Sequence, residues 1–165
     1  YCAFFSTALY VWIFGDVSLY MESALNVYYM GMAIYGWFQW QRGGINHEGL
    51  EIIRWTAKQH GLAISAIVLA ALVSGYLLSI GTDARLPYLD SLTTWGSILT
   101  TVMVARKVLE NWLYWIVINS ISIYLYLDRG LEQTASMFML YLVLAILGYY
   151  AWRKKHAGQN RDIAA

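Results

Sequence analysis

The sequence predicts an all-α integral membrane protein, a 3+1+3 helix bundle of two parallel three-helix repeats and a linker, with the first helix absent from this chain. Three observations predict it. The 165-residue chain is 59% hydrophobic, 16% aromatic and 13% charged, whereas a soluble domain carries about 25% charged residues. Its apolar residues gather in runs near the ~20 residues that a helix needs to cross a bilayer, and short alternating segments of the barrel kind do not occur. Its basic residues collect on one side of those runs, and its second and sixth runs resemble each other at a fixed spacing.

The first run, residues 1–15, is short because the chain begins inside it, as expected of a piece of a longer protein. Asp16 to Glu22 must then hold a tight turn into the second run, 17–40. Residues 45–60 mix Ile45, Ile52, Ile53 and Trp55 with charges and are expected to lie along the membrane surface. The third run, 61–80, carries Ala66, Ala70, Ala71 and Gly75, a small-residue face suited to packing rather than to a site. It is the linker helix. A turn at 83–87 leads into the fourth run, 88–104; Arg106 and Lys107 precede the fifth, 109–127; residues 128–130 precede the sixth, 134–152. The expected divisions are 1–42 for the second and third helices of the N-terminal repeat and 43–87 for the interfacial loop and linker. Residues 88–155 form the C-terminal repeat and 156–165 a cytoplasmic tail.

Alternating sides backward from a cytoplasmic C-terminus puts Arg42, Arg54, Lys58, Arg106, Lys107, Arg153, Lys154, Lys155 and Arg161 inside. Only Arg85 and Arg129 fall outside. Nine against two agrees with the positive-inside rule and sets the orientation. An offset of 112 residues then aligns Gly36-Trp-Phe-Gln-Trp-Gln-Arg42 with Gly148-Tyr-Tyr-Ala-Trp-Arg-Lys154. It also matches Asp16 with Asp128, Leu19 with Leu131, Tyr29 with Tyr141 and Ala33-Ile34 with Ala145-Ile146. Aspartates are rare between membrane helices, so that pair weighs most. The fourth run's partner precedes Tyr1 at this offset. Four segments separate equivalent positions, so the triplets share one orientation, as in transporters with a central site between parallel repeats.

The most specific pattern lies in the fifth run. Trp112, Trp115, Asn119, Ser122 and Tyr126 step by threes and fours, within about 80° of one another on a helix. Flat rings beside a carboxamide suit a planar, hydrogen-bonding, cationic solute. Plainer readings stand beside that one. The tryptophans lie near a helix end, where aromatic belts form. Asn119 lies about two turns inside the membrane, where an unpaired amide is expensive, and an interhelical hydrogen bond satisfies it equally well.

Other runs offer fewer candidates. In the fourth, Thr94, Ser97 and Thr101 share a side as pocket lining, unless their hydroxyls bond back to their own carbonyls. In the second, Asn26 and Tyr29 lie deep enough for a ligand, with Trp37 and Trp40 on the same face as cytoplasmic belt or gate; Gln39 faces another side. Asn111 and Tyr126 complete the gate candidates. Asp16, Glu22, Asp128 and Glu132 cluster at outer turns, either solvated or drawing cations to an entrance. Arg106, Lys107, Glu110 and Asn111 crowd the inner turn as an ion pair or a gate.

Several classes of chemistry are excluded. No Walker-type glycine loop is present, so the chain does not itself hydrolyse nucleotide. GxSxG and HExxH motifs are absent, as is the acid–histidine chain of a proton relay. His47 and His60 lack ligand spacing to each other or to Cys2, so no metal is expected. Neither a cofactor nor an enzymatic role is expected. The basic residues sit between hydrophobic runs, so no nucleic-acid partner is implied, and the single cysteine excludes an internal disulfide.

Thr94-Trp95-Gly96-Ser97, Val104-Ala-Arg-Lys107, Glu110-Asn-Trp-Leu-Tyr-Trp115 and Tyr35-Gly-Trp-Phe-Gln-Trp40 resemble the PnuC family of bacterial vitamin transporters. The similarity runs to about Lys155, and Asn-Trp-x-x-Trp-x-x-x-Asn at 111–119 is its most specific part. The resemblance implies a fold similar to the SWEET sugar transporters, a homotrimer in the bacterial inner membrane, and facilitated diffusion of nicotinamide riboside. It implies that Trp112 and Trp115 stack on the pyridinium and that Asn119 pairs with the carboxamide. Asn26 and the hydroxyls of Ser97 and Thr101 would contact amide or ribose. Net uptake for NAD biosynthesis would then depend on a separate cytoplasmic riboside kinase. Thiamine, riboflavin or a sugar is the nearest alternative cargo, and a non-transporting receptor or assembly subunit is the alternative of another class.

Overall fold

The computed structural model describes residues 20–42, 50–81 and 86–162, with side chains from 27 to 159 within them. Its helices are α1 (Tyr20–Arg42), α2 (Ala57–Gly81), α3 (Pro87–Ala105), α4 (Asn111–Asp128) and α5 (Glu132–Asp162). They correspond to the second through sixth apolar runs. The first run, Asp16 and the turn before Glu22 lie outside the described residues, as do the side chains of Glu22 and Asn26. The chain divides into two compact units, one of Tyr1–Glu51 with Val104–Lys107, the other of Ile52–Met103 with Val108–Ala165. α2 therefore falls in the same unit as α3 up to Met103, α4 and α5.

In the first unit the chain returns to α1 through a hydrogen bond from the Leu50 N–H to the Gln39 carbonyl at 3.2 Å. Gly36 of α1 lies beside residue 105: a Cβ there would stand 3.6 Å from the Ala105 Cβ, at ordinary contact distance. Trp40 Nε1 donates to the Val104 carbonyl at 3.2 Å. Lys107, whose φ of 53° is left-handed, donates from Nζ to the Leu50 carbonyl at 2.7 Å.

The second unit begins with a short extended segment. Ile53 pairs with Val108 in an isolated parallel bridge, and the Leu109 N–H donates to the Ile53 carbonyl at 2.8 Å. α2 then starts on a reciprocal cap: the Gln59 side chain accepts from the Thr56 N–H at 2.8 Å and the Thr56 hydroxyl from the Gln59 N–H at 3.4 Å. This pairing satisfies two N–H groups that a helix start otherwise leaves open.

The buried stripe of α2 is Ala63, Ile67, Ala71 and Gly75, four residues apart and small enough for close packing. Ala71 and Gly75 were expected there. Ala66 is exposed and Ala70 only half-buried, because the stripe runs through 63 and 67. At Gly75 the approach is tight, with the Tyr88 Cα 3.0 Å from where a Cβ would stand. Trp95 Nε1 donates to the Ser74 hydroxyl at 3.1 Å.

α3 opens with Pro87, whose missing N–H costs nothing in a first turn. α4 ends at Gly130, where φ is +71°; the Leu131 N–H reaches back to the Tyr126 carbonyl at 2.8 Å, the six-to-one bond of a Schellman end. α2 and the Glu132–Gln159 stretch of α5 are long and apolar enough to cross a membrane by length and composition. Leu62, Leu69, Leu77 and Ile80 on α2 are all more than half exposed. Such a surface suits lipid far better than water.

Candidate functional site

The tryptophan–asparagine stripe lies on α4, and its contacts fix where it points. Trp112 fits against Gly148 of α5, where a Cβ would meet the indole at 2.6–2.7 Å. It meets Trp152 edge-on, with centroids 5.4 Å apart. Tyr126 lies against Phe138 of α5 at 5.0 Å. On the other side, Ile118 fills the space beside Gly96 of α3, 3.2 Å from where a Cβ would stand. At 100° per residue Ile118 stands roughly 120° around the helix from Trp112. Trp115, Asn119 and Ser122 fall on the arc of α4 between its α3-facing and α5-facing sides. Asn119 is 3% exposed and Ser122 5%, and the Asn119 carboxamide makes no hydrogen bond among the described residues.

On α3 the buried stripe facing this arc is Thr93, Gly96, Thr100 and Met103. Ser97 and Thr101 lie to one side of it, half-buried, and the Thr101 hydroxyl is spent on the Ser97 carbonyl at 2.7 Å. Thr94 bonds back to the Asp90 carbonyl at 2.9 Å in the same manner. Thr100 was not singled out from the sequence, yet it is fully buried and its hydroxyl has no hydrogen-bond partner among the described residues. The signal available was its spacing from Thr93 and Gly96.

The remaining candidates are scattered. Tyr29 is half-buried on α1 and tilted against Tyr28 at 5.7 Å. Trp37 is exposed and packs edge-on to Phe38 at 5.0 Å. Lys107 Nζ stands 5.4 Å from the Trp40 ring centroid, a cation–π distance. Asn111 is fully buried and donates from Nδ2 to the Val108 carbonyl at 2.6 Å, closing the turn into α4. No cluster of histidine, cysteine and acidic residues fit for a metal occurs among the described residues.

The inner turn is organised around Glu110, with a partner that lies far away in sequence. Glu110 occupies the N-cap of α4 without capping it through its side chain. Its carboxylate turns instead to the 54–55 segment, accepting from Arg54 Nε at 2.8 Å and from the Trp55 N–H at 3.2 Å. His60 Nδ1 and the Tyr114 hydroxyl are hydrogen-bonded at 2.9 Å, and His60 Nε2 lies 4.0 Å from the same carboxylate. Burial pushes the Glu110 carboxyl up. The Arg54 hydrogen bond, the Trp55 and Glu110 backbone N–H groups and the Arg54 charge outweigh burial and hold it below its ordinary value. Residues 52–55 of the 45–60 stretch thus bond to the start of α4 through Leu109 and Glu110. Asp90 and Arg129 form a second ion pair at 3.0 Å, beside the turn after α4.

Comparison with known proteins gives a consistent result. The family model described as nicotinamide mononucleotide transporter matches residues 1–154. The nicotinamide riboside transporter PnuC of Escherichia coli (strain K12) is 26% identical, over 85% of this chain and 69% of its own length. The riboflavin/roseoflavin transporter RibM of Streptomyces davaonensis is 24% identical, over 81% of this chain and 64% of its own. A crystal structure of the vitamin B3 transporter PnuC superimposes with a TM-score of 0.67 at 27% identity, covering 94% of this chain and 71% of that one.

Proposed function

The chain belongs to the nicotinamide mononucleotide transporter family, a family of transporters rather than enzymes, and from that premise we propose that it carries nicotinamide riboside into the cell by facilitated diffusion. The observation that carries the reading is the buried, unpaired Asn119 beside Trp115 and Ser122, on the arc of α4 between its α3-facing and α5-facing sides. A flat pyridinium gains roughly 0.5–2 kcal/mol from each desolvated indole face it meets. Its carboxamide complements the Asn119 amide, donor to acceptor and acceptor to donor. Trp115 is the indole best placed for this role, since Trp112 is already committed to Gly148 and Trp152. Thr100 joins the expected contacts as a free hydroxyl on the facing helix.

The rest of the reading follows from the family. The chain sits in the bacterial inner membrane as a homotrimer with its C-terminus cytoplasmic, in a 3+1+3 arrangement whose repeats rock to give alternating access. No energy-coupling motif is present, so a cytoplasmic kinase traps the arriving riboside. Riboflavin is the second reading, favoured by the similarity to a riboflavin/roseoflavin transporter. Uptake of labelled nicotinamide riboside into proteoliposomes, without ATP or ion gradients, separates the two. Saturable entry blocked by unlabelled nicotinamide riboside but not by riboflavin, thiamine or glucose supports the first reading. Entry blocked equally by riboflavin, or no entry, rejects it.

A further inference from the structure

We propose that Glu110 is a positioning residue for transport, holding the tryptophan end of α4 against the segment that leads into α2. The proposal rests on the transport reading above. Three ties converge on two short stretches of chain. The Leu109 N–H bonds the Ile53 carbonyl at 2.8 Å, Glu110 takes both Arg54 and the Trp55 N–H, and His60 meets Tyr114 one helical turn further on. The His60 and Tyr114 rings are also stacked, with centroids 5.8 Å apart and 25° between planes. A fourth tie brings in α5, where His156 Nδ1 donates to the Ile52 carbonyl at 3.0 Å.

Glu110 is the one residue in this joint that bonds two successive positions of the facing segment, and it is 7% exposed. Its charge also lies at the positive end of α4, where a carboxylate is favoured. An N-cap residue ordinarily spends its side chain on its own helix; Glu110 spends it across the joint. Trp112 and Trp115 follow within the next turn and a half, so a change in the pitch of this turn moves both indoles. Asn119 lies about one turn beyond Trp115 on the same helix and moves with them. Glu110 thus acts through α4 rather than by touching the solute, which sets it apart from a gate.

The test uses the full chain in proteoliposomes, with Glu110→Ala, Glu110→Gln and His60→Phe compared with wild type. Glu110→Ala is expected to raise KM for nicotinamide riboside about tenfold, the equivalent of ~1.4 kcal/mol, with Vmax within a factor of about two and faster amide hydrogen exchange over residues 111–116. Glu110→Gln, which still accepts from the Trp55 N–H, should recover most of the loss. His60→Phe, which keeps the ring but not the bond to Tyr114, should give a smaller rise in KM and serves if Glu110→Ala does not fold. Unchanged KM in a folded Glu110→Ala overturns the proposal even if exchange rises, because the joint would then only brace the fold. If the wild-type chain shows no saturable uptake, the transport reading fails by itself. The joint is then judged on exchange, and unchanged protection of 111–116 overturns it.

Discussion

Asn119 and its neighbours show how differently residues on one stripe can be employed. Trp115→Ala and Asn119→Ala are each expected to weaken nicotinamide riboside binding about tenfold, the scale of one lost hydrogen bond or ring contact, with helix content and melting temperature retained. Tryptophan quenching on titration with the riboside measures this; normal binding in both folded variants rejects the site. Trp112→Ala should behave otherwise. It empties the space between Gly148 and Trp152 and is expected to cost stability by about 3 kcal/mol, the scale of a Trp→Ala cavity. Glu110 adds a pH dependence. Folding lowers its proton affinity, so its contribution is present above the unfolded carboxyl value near 4.3 and is lost as pH falls through the lower folded value. Melting temperature in detergent should hold from about pH 7 to 5 and drop below about 4, and Glu110→Gln should shrink that drop. An equal drop in both proteins excludes the assignment. Sequence periodicity located the stripe but could not divide its labour, because Gly148 lies 36 positions beyond Trp112 and periodicity senses only near neighbours. Arg54, Trp55 and Glu110 were each visible; their meeting was not.

At the scale of elements, apolar runs located the helices well because lipid exposure and helix length are set by the same bilayer. The run 61–80 became Ala57–Gly81, and 88–104 became Pro87–Ala105. α5 was underestimated: its run ended at 152, but the helix continues to Asp162. Hydropathy reports where lipid stops, and a charged helix has no reason to stop there. Glycines decide how closely these helices approach. Gly75→Ala should lower stability by about 1–3 kcal/mol, since Tyr88 backbone lies within 3.0 Å of the new methyl and cannot swing away. Gly61→Ala, on the same helix with nothing within 4 Å, should raise stability by about 0.5–1 kcal/mol. Melting the pair side by side checks both, and equal effects would show that the α2–α3 contact is looser than described.

At the scale of the whole molecule, the all-helical class and the family were legible from the long apolar runs and the Asn-Trp-x-x-Trp-x-x-x-Asn pattern. The division into units was not, because it depends on residues 104–107 leaving the unit that holds the rest of α3. Nothing in hydropathy marks such a transfer. Its consequence concerns how the chain is made. Domains generally assemble as they emerge during synthesis, N-terminal parts first, but here that order is broken. Trp40 waits for the Val104 carbonyl, Gly36 for Ala105 and the Leu50 carbonyl for Lys107. Gly36, Trp40 and Leu50 therefore reach these neighbours only after α2 and nearly all of α3 have left the ribosome. A nascent chain halted before residue 104 carries an unfinished unit, open to whatever chaperone or membrane insertase attends it.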